Sequence, residues 1–267
     1  MPHEQDGSPV RYDVADGVGT LTLARPAARN ALDTATKGAL LGAVLGAADD
    51  PAVRCVLLTG TGPAFCVGQD LREHADLLSR GDAAPWRTVA EHYNPVVTAL
   101  ATMDKPVVAA VNGVAAGAGA SLAMAADLRI VAASAGFNLA FAGVALSADS
   151  GASWTLPRLV GWGRARDLLL RPRTVGAQEA LAIGLATEVV ADADLPDRAR
   201  AVATQLAAGP TAAYAALRQV LAFSATHDLP TSLTFEAEQM ARTGATADHV
   251  EAVTAFLAKR PPRFTGA

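Results

Sequence analysis

Two segments of the 267-residue chain are built largely from small residues, each directly after an apolar run. One is Ala64-Phe65-Cys66-Val67-Gly68-Gln69-Asp70-Leu71. The other runs from Val111 through Asn112, Gly113, Gly117, Ala118 and Gly119 to Ser121. Small side chains let a ligand approach the main chain, and the first turn of a helix leaves N–H groups without partners. Two such loops, each following a strand, can aim two N–H donors at a single oxygen. That is an oxyanion hole, in which each donor contributes roughly 3–4 kcal/mol to stabilising a developing negative charge. Taken singly, either loop is equally well explained as a tight strand-to-helix turn.

Other chemistries fit less well. Gly117-Ala118-Gly119 lacks the third glycine of a dinucleotide-binding turn, Leu122 standing in its place, and no acidic residue ends a following strand at the required distance. There is no Walker motif. Cys66 has no histidine near it in sequence to activate a thiolate, so it reads as a small packing residue. Ser150 and Ser153 do not form a Gly-x-Ser-x-Gly elbow. Asp149, just before Ser150-Gly151, has by spacing alone the position of a helix N-cap. Cys55 and Cys66, the two cysteines, have no metal-ligand spacing, and no metal cluster is expected.

The elements that must position these loops follow from pattern. Residues 10–23 alternate as two strands around an Asp16-Gly17 hairpin turn. Residues 34–48 form an amphipathic helix with Leu40, Leu41, Val44 and Leu45 as its apolar residues. Residues 53–59 are a short buried strand. The polar stretch from 71 to 84 reads as the most mobile part, and 85–103 as a helix. Strand 106–111, helix 117–126 and strand 127–132 repeat the unit, which argues for stacked ββα turns rather than a doubly wound sheet. From residue 195 no strand is expected. Helices fall at 195–208, 210–225, 233–243 and 246–257, with Pro210 in a first helical position. The organisation is an α/β core over residues 1–200 and an all-helical region over 201–267.

Composition bounds the surroundings. Hydrophobic residues at 51% against 18% charged supply a sizeable core, and a net charge of −4 gives no attraction to nucleic-acid phosphates. Unpaired cysteines and a start without a basic and apolar leader point to a reducing, cytoplasmic compartment. Apolar runs broken by Asn112, Gly113, Gly117 and Gly119 are too short to span a membrane.

The same segments resemble the enoyl-CoA hydratase/isomerase (crotonase) family, and the likeness runs nearly end to end. Arg25-Pro26 with Asn30-Ala31-Leu32 is similar to its N-terminal element, Phe65–Leu71 to its first signature loop, and Lys105-Pro106 through Met124 to its second. Phe256-Leu257-Ala258-Lys259-Arg260-Pro261 is similar to its closing segment. The resemblance implies a β-β-α spiral core, a helical C-terminal trimerisation region, and trimers that pair into hexamers. It makes the N–H groups of Gln69 and Ala118 the oxyanion donors. It places the adenine end of CoA on the main chain of Val67, Asp70, Leu71 and Arg72, with Arg25, and Lys259 of a neighbouring subunit, at its phosphates. The side chain of Asp70, like Asp127, matches a capping or strand-end position. No cofactor beyond the CoA carried by the substrate is implied.

Within that resemblance the proton-moving residue departs from the hydratases. Their two glutamates map to Ser121 and Phe141, neither of which is a base near neutral pH, so conventional hydration is disfavoured. Residues 148–158 resemble instead the segment of the branch that includes ring-1,2-epoxyphenylacetyl-CoA isomerase and Δ3,Δ2-enoyl-CoA isomerase, in which the aspartate, here Asp149, is the acid/base. Phe141, with Trp154, then forms an apolar wall that raises its pKa. His92 and Tyr93 lie on a helix bordering the acyl pocket, to face either substrate or solvent. The implied reaction is isomerisation of a 3-enoyl-CoA to a 2-enoyl-CoA. Another enolate reaction or a non-catalytic acyl-CoA binder are the alternatives, and the acidic balance speaks against the family's RNA-binding member.

Overall fold

Asp16 and Gly17 both take positive φ, 52° and 75°, the conformation a two-residue hairpin turn demands. They join β1 (Val10–Ala15) to β2 (Val18–Leu23) in antiparallel register, Ala15 opposite Val18. The structure is a computed structural model that describes residues 7–267. Most of the leaderless start expected above lies outside the described residues.

After α1 (Thr34–Asp49), capped by the Asp33 side chain, the chain makes three similar circuits. Each begins with a strand of one sheet and continues into a short strand of a second. The first is β3 (Cys55–Gly60) and β4 (Ala64–Cys66), followed by α2 (Leu71–Ser79), α3 (Ala84–Thr88) and α4 (Asn94–Thr102). The second is β5 (Val107–Val111), β6 (Val114–Ala116) and α5 (Ala118–Met124). The third is β7 (Leu128–Ala132), β8 (Gly136–Asn138), α6 (Ala152–Val160) and α7 (Trp162–Leu170). A closing unit adds β9 (Thr174–Gly176), α8 (Ala177–Ala182) and β10 (Glu188–Val190). The larger sheet has the order β1-β2-β3-β5-β7-β10 and the smaller β4-β6-β8-β9. β3, β5 and β7 pair parallel, and their near-continuous Val, Ile, Leu and Ala content is what a sheet covered on both faces needs. The stacked ββα spiral is thus as expected.

α9 (Leu195–Ala207) lies on the large sheet through its buried Ala199, Ala203 and Ala207. This helix runs through residue 200, so the core extends to it. The layer that departs from the core is α10 (Thr211–Ser224), α11 (Leu229–Gly244) and α12 (Ala247–Leu257). Arg218 of α10 ties this layer back, donating to the carbonyls of Leu100, Met103 and Lys105 and pairing with Asp127 at 3.0 Å.

Four expectations need correction. Residues 71–79 are a helix, because Asp70 accepts hydrogen bonds from the N–H groups of Arg72 and Glu73 and starts it. Residues 85–103 are not one uniform α-helix: Val89–Tyr93 form a π turn, with the Asn94 N–H reaching the Val89 carbonyl. Leu45 is exposed on α1. Pro210 is the residue before α10 rather than its first helical one. Among the described residues, no helix is long and apolar enough to cross a membrane.

Candidate active site

The first loop hangs from β4 and is braced on one side by residues 29–32. Val67 N–H donates to the Arg29 carbonyl, Leu32 N–H to Gly68, and Asp70 N–H to Leu32, at 3.3, 2.8 and 3.1 Å. Asn30, buried with φ 57°, donates through Nδ2 to the carbonyls of Thr61, Ala64 and Phe65 and so fixes the strand end. The second loop closes from the other side at distances only glycine permits. A Cβ on Gly119 would stand 2.1 Å from the Cys66 carbonyl oxygen. One on Gly68 (φ +83°) would stand 2.8 Å from the Ala116 oxygen and 3.2 Å from the Ala118 nitrogen. The two loops are therefore in main-chain contact, with Gln69 and Ala118 beside the junction. Among the described residues neither of these N–H groups has an acceptor. Ala118 is the first residue of α5, after Gly117 with φ 52°, where an unpaired N–H is intrinsic to the helix.

Arg25 does not present free donors. Its guanidinium pairs with Asp70 at 3.1 Å and Asp33 at 3.0 Å and donates to the Ala31 carbonyl. Burial pushes the Asp70 carboxyl up, but the N–H groups of Glu73 and Arg72 and the Arg25 guanidinium outweigh it and hold the group below its ordinary value. Asp70 is thus the helix cap expected of it, and Arg25 is its counter-ion.

The Gln69 side chain enters a polar cluster that spacing alone does not indicate. Its Oε1 accepts from the Tyr93 hydroxyl and, at 3.3 Å, from Lys37 Nζ. Lys37 also donates to Thr88 Oγ1 at 2.7 Å and lies 5.5 Å from the Tyr93 ring centroid. Thr88 Oγ1 lies 3.2 Å from His92 Nδ1. A signal was available: Lys37 stands three and four residues before Leu40 and Leu41, on the stripe that faces the core. Of the pair left open between pocket and solvent, Tyr93 is buried and His92 half-buried.

Asp149 occupies the opposite side. It is not the helix cap that spacing suggested: α6 begins after Gly151, with no side-chain cap. Among the described residues its carboxylate accepts one hydrogen bond, from Ser150 Oγ at 2.8 Å. Its carbonyl receives Ser121 Oγ at 3.4 Å and Ala152 N–H at 2.9 Å. Ser150 is buried with φ 52°, an uncommon conformation outside glycine. A Cβ on Gly151 would meet Val97 of α4 at 3.2 Å, so the turn is wedged between α4 and α5. Burial pushes the Asp149 carboxyl up, opposed by the Ser150 hydrogen bond. Burial, then the charge of Asp149, raises the Tyr93 phenol. Tyr93 thus bonds to Gln69 and feels the charge of Asp149.

The two positions named for glutamates are a fully buried Ser121 and a Phe141 only 7% exposed. Trp154 does not wall Asp149: it is 47% exposed, and the Arg158 guanidinium lies over its ring at 3.3 Å. Burial pushes the Cys66 thiol up to about 12, consistent with a packing residue. Val67 is half-buried and Leu71 and Arg72 are exposed at the start of α2. Lys259 is exposed just beyond α12 with φ 51°, and among the described residues no hydrogen bond links it to either loop.

Comparison with known proteins bears on this arrangement. Residues 13–267 match the family described as enoyl-CoA hydratase/isomerase. The chain is 43% identical to a "Probable enoyl-CoA hydratase" of Rhodobacter capsulatus, over 96% of this chain and 98% of that one. It is 41% identical to the 1,2-epoxyphenylacetyl-CoA isomerase of Escherichia coli, over 95% and 97% of the two chains. Among solved structures, an enoyl-CoA hydratase from Bacillus anthracis superposes with a TM-score of 0.91 at 31% identity, covering 97% of this chain and 100% of that one.

Proposed function

The chain belongs to the enoyl-CoA hydratase/isomerase family, and from that premise we propose that it shifts a double bond in an acyl-CoA, from the 3-enoyl to the conjugated 2-enoyl thioester. The observation that carries this reading is Asp149: a half-buried carboxylate, free of helix-capping duty, in a chain whose Ser121 and Phe141 leave no second base where the hydratase glutamates map. In the proposed reaction the thioester oxygen lies against the N–H groups of Gln69 and Ala118. The Asp149 carboxylate removes a proton from C2, and the electron pair spreads into a dienolate whose negative oxygen the two donors stabilise. Asp149, now protonated, returns the same proton at C4. Nothing is oxidised or reduced and no water is consumed, so one acid/base residue suffices and CoA is only the carrier. Its raised pKa brings the carboxyl closer to that of a useful proton donor.

The same reading puts the adenine end of CoA against the main chain near Val67–Arg72 and takes the exposed Leu217, Leu221, Met240 and Val253 of the helical layer as a face covered by further copies of the chain, in a trimer or a pair of trimers. Lys259 then reaches CoA phosphates only from a neighbouring subunit. Arg25, committed to Asp70 and Asp33, serves that role less well than it serves the loop.

A second reading is favoured by the 41% identity to the Escherichia coli 1,2-epoxyphenylacetyl-CoA isomerase: ring isomerisation of an epoxyphenylacetyl-CoA. Purified protein incubated with 3-hexenoyl-CoA should produce the absorbing 2-enoyl product, and Asp149→Asn should lose that turnover while CoA-ester binding persists by calorimetry. Undiminished turnover in Asp149→Asn sinks the mechanism. Turnover of the epoxide alone selects the second reading, crotonyl-CoA hydration restores the hydratase, and binding without any turnover leaves an acyl-CoA binder.

A further inference from the structure

Lysine is rarely buried unless paired with a carboxylate, yet Lys37 is 3% exposed, and among the described residues no carboxylate lies within ion-pair distance of it. Its partners are neutral: the Thr88 hydroxyl at 2.7 Å, the Gln69 amide oxygen at 3.3 Å and the face of the Tyr93 ring. A cation kept from water among neutral groups is costly. The carboxylates of Glu73, Asp33 and Asp70, which lie further off on the two helix starts, offset part of that cost. What the position gains is contact with Gln69, the residue beside the loop junction whose own N–H has no acceptor among the described residues. Gln69 is then gripped twice, by Leu32 through the main chain and by Lys37 and Tyr93 through its side chain.

We propose that Lys37 is a positioning residue of the oxyanion hole: acting through the Gln69 side-chain amide, its buried ammonium fixes the direction of the Gln69 N–H and places positive charge behind the enolate oxygen. The proposal rests on the reading that Gln69 N–H binds the thioester oxygen. It also accounts for a glutamine at a position where only the N–H is needed for chemistry: the side chain is the link by which the cation reaches the loop. Charge held in a dry site acts over longer distances than in water, and it favours the transition state over the ground state because negative charge grows on the oxygen as the proton leaves.

Lys37→Met keeps nearly the same volume and removes both the charge and the cost of holding that charge away from water. The test measures kcat and KM for a 3-enoyl-CoA, the melting temperature, and the red shift in absorbance of cinnamoyl-CoA on binding, which reports polarisation of the thioester carbonyl. The expected result is a melting temperature close to wild type, KM within about threefold, a red shift clearly reduced and kcat lowered at least about tenfold. Lys37→Arg, which restores a cation, should recover part of the shift. Wild-type kcat and red shift in Lys37→Met would overturn the proposal while leaving the oxyanion hole standing. No red shift in the wild-type protein would remove the hole itself and the proposal with it. Should Lys37→Met fail to fold, Gln69→Met decides: it leaves the lysine in place but cuts the link, and must lose the shift and lower kcat, or the proposal fails.

Discussion

Around the Gln69 main chain almost every polar neighbour has a partner: Leu32, Arg29, Asn30, Arg25, Asp70, Lys37, Thr88 and Tyr93 form one connected set. On the other side, among the described residues, the Asp149 carboxylate accepts a single hydrogen bond, from the hydroxyl of the next residue. On the proposed mechanism the difference follows from what each side would do. A donor stabilises charge only if it already points at the oxygen before the charge appears, since turning it during the reaction would cost what it gains. A base that must give its proton back needs the reverse. Every further hydrogen bond to the ionised carboxylate would lower its pKa and weaken it as a base. One side is therefore held by many contacts, the other left nearly bare.

The sharpest way to break this contrast is Asp149→Asn. We expect kcat to fall by about 10²–10⁴, the range for losing a general acid/base, with CoA-ester affinity retained. Stability should move the other way. A carboxyl whose folded pKa is raised favours folding while protonated, and that contribution fades as pH rises through the raised value. At neutral pH the wild type thus carries an ionised, poorly solvated group, and Asp149→Asn should melt higher. The gap should close as pH falls, which scanning calorimetry across pH would follow.

On the crowded side, Gly119→Ala forces a Cβ to 2.1 Å from the Cys66 oxygen. The loops must separate, at a cost of about 1–3 kcal/mol in urea denaturation, and turnover should drop by about 10²-fold as a donor is misdirected. A wild-type rate in this variant would mean that loop contact is irrelevant to the hole. Ser150→Ala is subtler. It removes the one hydrogen bond that favours the ionised Asp149, so the acid limb of the kcat/KM profile should move to higher pH, with the plateau rate changed by less than about tenfold. A shift to lower pH would reverse the assignment. Trp154→Ala should have the smallest effect. Its ring is exposed under Arg158, an arrangement worth about 0.5–1 kcal/mol at the surface, and kcat should stay unchanged. A large loss would return Trp154 to the wall of the base.

The sequence already carried the features set by local rules. The Asp16-Gly17 turn, the strand at residues 107–111 and the glycine-rich entry to α5 each follow from a few adjacent residues with one conformational demand. Asp149 was visible as a residue with the spacing of a helix cap, and only the start of α6 after Gly151 shows that it does not cap. Arg25 shows a different limit. A cation near the N-terminus is equally available to a phosphate or a carboxylate, and the choice depends on Asp70, forty-five positions away. The Lys37 cluster joins α1 to residues 32 and 51 positions further on, so its sole local trace is a charged residue on an apolar stripe. Long-range pairing of side chains is decided by how the circuits stack, and no window along the chain contains it.

The π turn at Val89–Tyr93 makes that stacking a matter of counting. A π turn is in effect one residue more than the α-helix around it requires. Deleting a single residue there would restore an ordinary α-turn, and the helix beyond would keep its facing, with Val97 still against the Gly151 turn. The change would fall within the turn itself, where His92 and Tyr93 stand beside Thr88 and Gln69. The extra residue thus sets which side chains of one turn reach Gln69 while leaving the rest of the helix in step with the fold. Relatives that differ by one residue at this turn would share the frame of the site and differ in what grips Gln69.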